Sequence, residues 1–261
     1  MNQLIKTILF FLLTSGLMFA VLSGIDAGIL PEPLVLIGLF GPAMMAIAFT
    51  KFEGEQSVKS LLAGYIKVKA PVSAYLITFM VIPLAMLLAF GLSFATGQVN
   101  PERWFAMLGI PQLIFIPLIS IGEELGWRGY LQPMLRKKYS LIISSAIVGV
   151  TWGLWHLPGY YFGTGVVEGV SMFWFLVWVL GAALIMGYLY EVSESVFIPV
   201  LFHTISNMSF NVILMMPMHT GSAVPFILLA ISALIIGGAL CLWHSGLKTV
   251  ESEGVGHYKY G

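Results

Sequence analysis

Charge is what this sequence has least of. Only 9% of its 261 residues are charged, 12 basic and 12 acidic, whereas a soluble domain carries about 25%. So few charges cannot cover a water-soluble globule, and they also argue against a disordered chain or a nucleic-acid-binding protein. The single cysteine, Cys241, can form neither an internal disulfide nor a cysteine metal cluster.

Apolar residues are abundant instead. They make up 59% of the chain and recur in runs about 20 residues long, the length that crosses a bilayer. We therefore predict an all-α, polytopic membrane bundle of about eight transmembrane helices, forming a single integral-membrane domain over residues 1–261. The predicted spans are 4–23, 34–50, 72–92, 105–122, 141–157, 171–190, 197–216 and 224–243.

Lysine and arginine predict the orientation of these spans. If the N-terminus is inside, 11 of the 12 basic residues fall on one side of the membrane and only Arg103 on the other. Cytoplasmic loops are enriched in Lys and Arg, so both termini are predicted to be cytoplasmic. The compact length favours the plasma membrane of a bacterium. The basic residues on the predicted inner side are Lys6, Lys51, Lys59, Lys67, Lys69, Arg128, Arg136, Lys137, Lys138, Lys248 and Lys259.

An ionisable residue within a span is costly and is therefore a functional candidate. Glu123, Glu124 and Arg128 follow the fourth apolar run without a helix breaker, so the helix is predicted to continue to Leu135. Glu124 and Arg128 lie one turn apart and can pair, whereas Glu123 points about 100° away and is left to hold or move a proton. The alternative is an ordinary ion pair at the cytoplasmic end of a helix.

Two further places carry polar groups inside apolar helices. His156 ends the fifth run among tryptophans, and His203 and Asn207 lie one turn apart in the seventh. The alternatives are an interfacial histidine in an aromatic belt and hydrogen bonds that hold the bundle together. We interpret the remaining histidines as solvent or interface residues and two tryptophans as belt residues. These are His219, His244, His257, Trp174 and Trp178.

Together the three places supply the groups that a hydrolytic site requires. Glu123, His156 and His203 could hold a zinc ion with one position open for water. Without a metal, Glu123 could act as the base that activates water, while a histidine or asparagine polarises a carbonyl or holds an oxyanion. Small-residue spacing at 122–126 and 149–153 permits the close helix crossings that such a site needs.

The order and spacing of these motifs resemble the CPBP (Abi) family of intramembrane proteases, which includes the type II CAAX prenyl endopeptidases. The motifs are Glu-Glu-x-x-x-Arg at 123–128, an aromatic residue four before a histidine at 152–156, and His-x-x-x-Asn at 203–207. They fall on the predicted fourth, fifth and seventh helices, and the resemblance covers roughly residues 105–212. Trp152 stands where the family usually has phenylalanine, a difference expected to change only packing volume.

The resemblance implies peptide-bond hydrolysis in a membrane cavity, with a peptide or protein substrate, such as a lipidated CAAX-like protein, and no nucleic acid. It implies that Glu123 activates water, that Glu124 and Arg128 support it, and that the remaining motif residues are metal ligands or hold water and the oxyanion. These are His156, His203 and Asn207.

Two other functions are compatible with the same residues. A non-catalytic bacteriocin-immunity or regulatory protein could use the pocket to bind a peptide. A proton-coupled transporter could use Glu123 and the histidines as a relay, although the sequence lacks the inverted repeat that such folds often show.

Overall fold

The chain folds into a bundle of helices. The structure is a computed structural model that describes residues 2–54, 56–64, 67–164 and 168–256, with side chains as far as residue 246. It is 79% helical, and among the described residues the only β pairing is an isolated bridge between Phe105 and Ile213. The predicted all-α class is confirmed.

The helices follow the predicted apolar segments closely. A 3₁₀ turn spans Glu32–Leu34, and a π-helical segment spans Leu125–Leu131. The α-helices of the described residues are α1 (Gln3–Asp26), α2 (Val35–Leu39), α3 (Gly41–Glu53), α4 (Val58–Ala63), α5 (Val72–Ala95), α6 (Ile110–Glu124), α7 (Gln132–Arg136), α8 (Leu141–Trp155), α9 (Leu157–Phe162), α10 (Met172–Ser193), α11 (Phe197–Val212), α12 (Pro217–Thr220) and α13 (Val224–Gly256).

Several of these helices are suited to crossing a membrane. Within the described part of the chain, five are long and apolar enough, and a sixth span results if α2 and α3, bent by 43°, count as one. The bend falls at Phe40, between α2 and α3, and Pro42 just after it lacks the backbone donor that a continuous helix needs. The all-helical membrane architecture therefore holds, whereas the predicted number of about eight spans is not confirmed.

Ion pairs gather at one end of the bundle, here called the basic end. Lys6 of α1 lies 2.8 Å from Glu53 of α3, and Tyr130 donates a hydrogen bond to the same carboxylate. Arg136 of α7 pairs with Glu191 of α10 at 2.8 Å. These contacts place the ends of four helices side by side. Two residues of the sequence interpretation, His257 and Lys259, lie outside the described residues, and Lys248 has no described side chain.

Glycines allow the helices around α6 to approach closely, as their spacing predicts. A Cβ atom added at Gly126 would lie 2.4 Å from Pro42 Cβ and 2.6 Å from the Pro42 carbonyl carbon. At Gly122 it would lie 3.0 Å from the ring of Phe40, and at Gly149 it would lie 3.1 Å from Leu180 Cα of α10. The bent pair α2–α3 therefore packs directly against the helix that carries the glutamates.

Replacing Gly126 by alanine should destabilise the protein. The new methyl group would overlap the backbone of α3, and such overpacking costs about 1–3 kcal/mol. Thermal unfolding in detergent can be followed with a dye that reacts with Cys241. This residue is the only cysteine of the chain and is fully buried in the fold, so the dye reaches it when the protein unfolds. Gly91→Ala on α5 is the matched control, since its Cβ would meet nothing within 4 Å. Equal unfolding temperatures for the two variants would refute the close packing.

Candidate functional site

The two adjacent glutamates lie in the middle of one long helix. α6 ends at Glu124 and continues through the π-helical segment into α7. The prediction that this helix runs on to Leu135 is confirmed. π-helical turns are rare and frequently occur at functional sites, so the local backbone itself marks this region as a functional candidate.

Glu124 is the centre of a buried ionic network. Arg128 Nη1 donates to both of its carboxylate oxygens, at 2.8 and 3.0 Å. The predicted pair is therefore present, and both side chains are 0% exposed. On the other side, Glu124 Oε1 lies 2.9 Å from Nδ1 of His203. That last contact was not predicted, and it ties α11 to α6.

Glu123 has a neutral hydrogen-bond donor as its partner. Its Oε2 accepts a hydrogen bond of 2.7 Å from the indole Nε1 of Trp152 on α8. Phenylalanine at this position has no donor. The expectation that Trp152 changes only packing volume is therefore wrong, because its indole N–H holds the carboxylate that the sequence singled out.

Trp152 also contacts the other motif residues. The Arg128 guanidinium carbon lies 4.9 Å from its ring centroid, and the ring of His203 meets it edge to face at 5.2 Å. One turn further on, His156 Nδ1 lies 2.9 Å from the Trp152 backbone carbonyl. This tryptophan is therefore the hub of the site, with contacts to residues of all three predicted groups.

A cavity of about 400 Å³ brings the predicted residues together. Glu123, His156, His203 and Asn207 all line it. Glu124 and Arg128 are buried outside the lining, and Glu124 contacts His203. The rest of the lining is mainly apolar and comes from the helices around it. It includes Met18, Leu22, Val35, Leu39, Ile119, Trp155, Phe175, Trp178, Val179, Phe202 and Phe210.

The sequence interpretation missed some cavity residues. Trp178, interpreted as part of an aromatic belt, is buried and lines the cavity, as does Phe175 of the same helix. Their spacing of three residues on α10 was the available signal. His219 is exposed, and His244 meets the ring of Tyr188 edge to face. Neither histidine lines the cavity, in keeping with their interpretation as solvent or interface residues.

The predicted zinc ligands do not form a metal-binding group in this arrangement. Within the part of the chain that the structure describes, no three His, Cys, Asp or Glu side chains are placed to hold a metal ion. Nδ1 of His203 is already engaged with Glu124, and Glu123 Oε2 with Trp152. Zinc stays a prediction, which metal analysis of the purified protein would test.

Comparison with known proteins identifies the segment that carries the site. Residues 102–209 match the family described as type II CAAX prenyl endopeptidase Rce1-like. The predicted CPBP resemblance is confirmed. We call residues 102–209 the Rce1-like segment; it contains Glu123, Trp152, His156, His203 and Asn207.

A curated relative agrees with this result. The chain is 29% identical over 133 residues to CAAX prenyl protease 2 of Methanococcus maripaludis. The aligned region covers 48% of this chain. The aligned region is 49% of the relative, so the chain spans about half the length of the curated protein that it matches. This likeness therefore extends over about half of each of the two proteins.

Proposed function

We propose that this protein is an intramembrane endopeptidase with its active site in the cavity of the Rce1-like segment. One observation carries the proposal: Glu123, both motif histidines and Asn207 line a single cavity of about 400 Å³. Water-activating and oxyanion-holding groups must converge on one reacting carbonyl. Such convergence is required of a protease and is not required of residues that merely hold helices together.

In the proposed mechanism, Glu123 accepts a proton from a water molecule, whose oxygen attacks the peptide carbonyl carbon. A histidine and Asn207 donate hydrogen bonds to the carbonyl oxygen as it becomes negatively charged. The proton then passes from Glu123 to the departing amine as the carbon–nitrogen bond breaks. The pair of Glu124 and Arg128 positions His203 through the contact to its Nδ1.

The substrate in this proposal is a peptide or a protein segment, with a lipidated, CAAX-like protein as one form. The mainly apolar lining of the cavity suits apolar side chains or a lipid group. A peptide library presented to the purified protein, with products read by mass spectrometry, tests the activity. Released fragments would support the protease. Retained, intact peptides would support the alternative of a non-catalytic peptide-binding protein, which the comparisons do not favour.

We further propose eight spans with both termini in the cytoplasm. The continuous helix from α6 through α7 is about 40 Å long, enough to cross the apolar core of a bilayer. α11 has 16 residues and packs against α5, α6 and α10 within the bundle. Adding these two helices to the five spans and the bent pair gives eight, the number at which the basic residues separate by side.

Trp152→Phe should slow peptide cleavage by roughly tenfold or more. The variant keeps an aromatic ring but loses the hydrogen bond to Glu123, and a hydrogen bond to a charged group contributes about 1.5–3 kcal/mol. The measurement is kcat/KM on one cleaved peptide.

Trp155→Phe is the matched control for that experiment. Trp155 also lines the cavity, but its buried indole nitrogen has no hydrogen-bond partner among the described residues. The same substitution there removes no hydrogen bond, so any loss from packing alone should be equal in both variants. Equal rates for Trp152→Phe and Trp155→Phe would show that the indole N–H does not position Glu123.

A further inference from the structure

The cavity lies toward the end of the bundle opposite the basic end. Met18 and Leu22, near the C-terminal end of α1, line it, as does Thr164, which follows α9. A second cavity of about 350 Å³ shares Leu22 and Thr164 with it and continues to Asp26 and Glu32. Asp26, Glu32 and Thr164 are exposed. Asp26, Glu32 and Thr164 form the mouth of the site, and we call these three residues the acidic mouth.

Toward the basic end the site is closed. The cavity there, of about 350 Å³, is lined by Glu53, Gln56, Tyr130 and Lys137 among others, and it shares no lining residue with the site. Between the two lie the buried residues 124–128, which include the Glu124–Arg128 pair. This buried ion pair therefore separates the two cavities.

The distribution of basic residues assigns these two ends to the two sides of the membrane. Lys51, Lys59, Arg136 and Lys137 lie in or beside the helix ends near the basic end, whereas Arg103 stands alone in the loop between α5 and α6. Phe105 of this loop pairs with Ile213, directly after α11, and Asn207 and Phe210 near that end of α11 line the cavity. Positive residues near spans favour the cytoplasm, so the acidic mouth faces outward.

We infer that the cavity opens to the extracytoplasmic side and takes an apolar peptide segment from there, with a basic residue next to that segment at the mouth. The apolar part would fill the cavity, and Lys or Arg would meet Asp26 and Glu32. No basic residue is among the described residues that line the second cavity. Charge complementarity of this kind favours the matching partner and accelerates its association. The inference rests on the proposed function for what happens to the peptide, but not for the side from which it enters.

Cysteine labelling tests the side directly. In a Cys241→Ser background the chain has no cysteine, and single cysteines can be placed at two exposed positions, Thr164→Cys in the mouth and Gln56→Cys in the basic-end cavity. Intact bacterial spheroplasts are treated with a membrane-impermeant maleimide. Thr164→Cys should react without permeabilisation, and Gln56→Cys only after it. The opposite pattern, or the same accessibility for both, would overturn the inference.

Cleavage from the two membrane faces separates this inference from the protease proposal. The probes are two impermeant fluorogenic peptides with the same six apolar residues, one ending in lysine and one in glutamate. Right-side-out vesicles should cleave the lysine peptide at least severalfold faster than the glutamate peptide, and Asp26→Asn with Glu32→Gln should remove that preference. Faster cleavage by inverted vesicles, or no preference for lysine, would contradict the inference. No cleavage by either vesicle would refute the protease while the labelling pattern still decides the side.

Discussion

Glu123→Ala should abolish measurable peptide cleavage and leave the protein folded and inserted in the membrane. Glu123 is the carboxylate in the cavity that is not committed to an ion pair, since Glu124 is bound by Arg128 and His203. A positioned general base contributes typically 10²–10⁴-fold to a rate, so the rate of cleavage should fall by about that factor. The measurement is kcat/KM on a peptide that the unmodified protein cleaves.

Two controls make the loss of activity interpretable. Glu123→Gln keeps the shape of the side chain and an acceptor for Trp152, so it should fold normally and be as inactive as the alanine variant. Glu102→Ala, at an exposed position of the loop before α6, should cleave at the unmodified rate. Full activity in Glu123→Ala would disprove the proposed mechanism.

Arg128→Met should cause the largest loss of stability. It leaves the carboxylate of Glu124 buried without its main ionic partner, and Arg128 itself is 0% exposed. Removing one member of a buried ion pair costs about 3–5 kcal/mol. The measurement is the free energy of unfolding in detergent, followed through reaction of the Cys241 thiol with a dye.

The same substitution at a more exposed pair is the control. Arg136→Met removes a pair whose side chains are 24% and 15% exposed, so water can solvate the remaining Glu191 and the loss should be smaller. A double variant, Glu124→Gln with Arg128→Met, should recover part of the stability, because it leaves no uncompensated charge. If Arg128→Met were no less stable than Arg136→Met, Glu124 would not depend on that pairing.

The local features of the site could be predicted from the sequence because they depend on neighbours along one helix. The pairing of Glu124 and Arg128 follows from a separation of four residues, which is one helical turn, and the structure has it. The close packing of Gly126 follows similarly from the lack of a side chain. The helical character of every apolar segment follows from their length and composition.

The number of spans was less predictable because it depends on how helices bend and pack. The segment 34–50 appeared in the sequence as one apolar run, whereas the structure divides it into α2 and α3 at an angle of 43°. α11 is short and carries His203 and Asn207, so its position in the membrane depends on the helices around it, not on its own hydropathy.

The sequence by itself determined the membrane class, the helical segments and the list of polar residues that are costly to place in a bilayer. Only the tertiary structure decided that these residues meet. It placed Trp152 as the donor to Glu123 and His203 against Glu124, and it turned the cavity toward one end of the bundle. The physical reason is the range of the interactions: helix periodicity and hydropathy act along the chain, whereas contacts between α6, α8 and α11 depend on how whole helices tilt and pack.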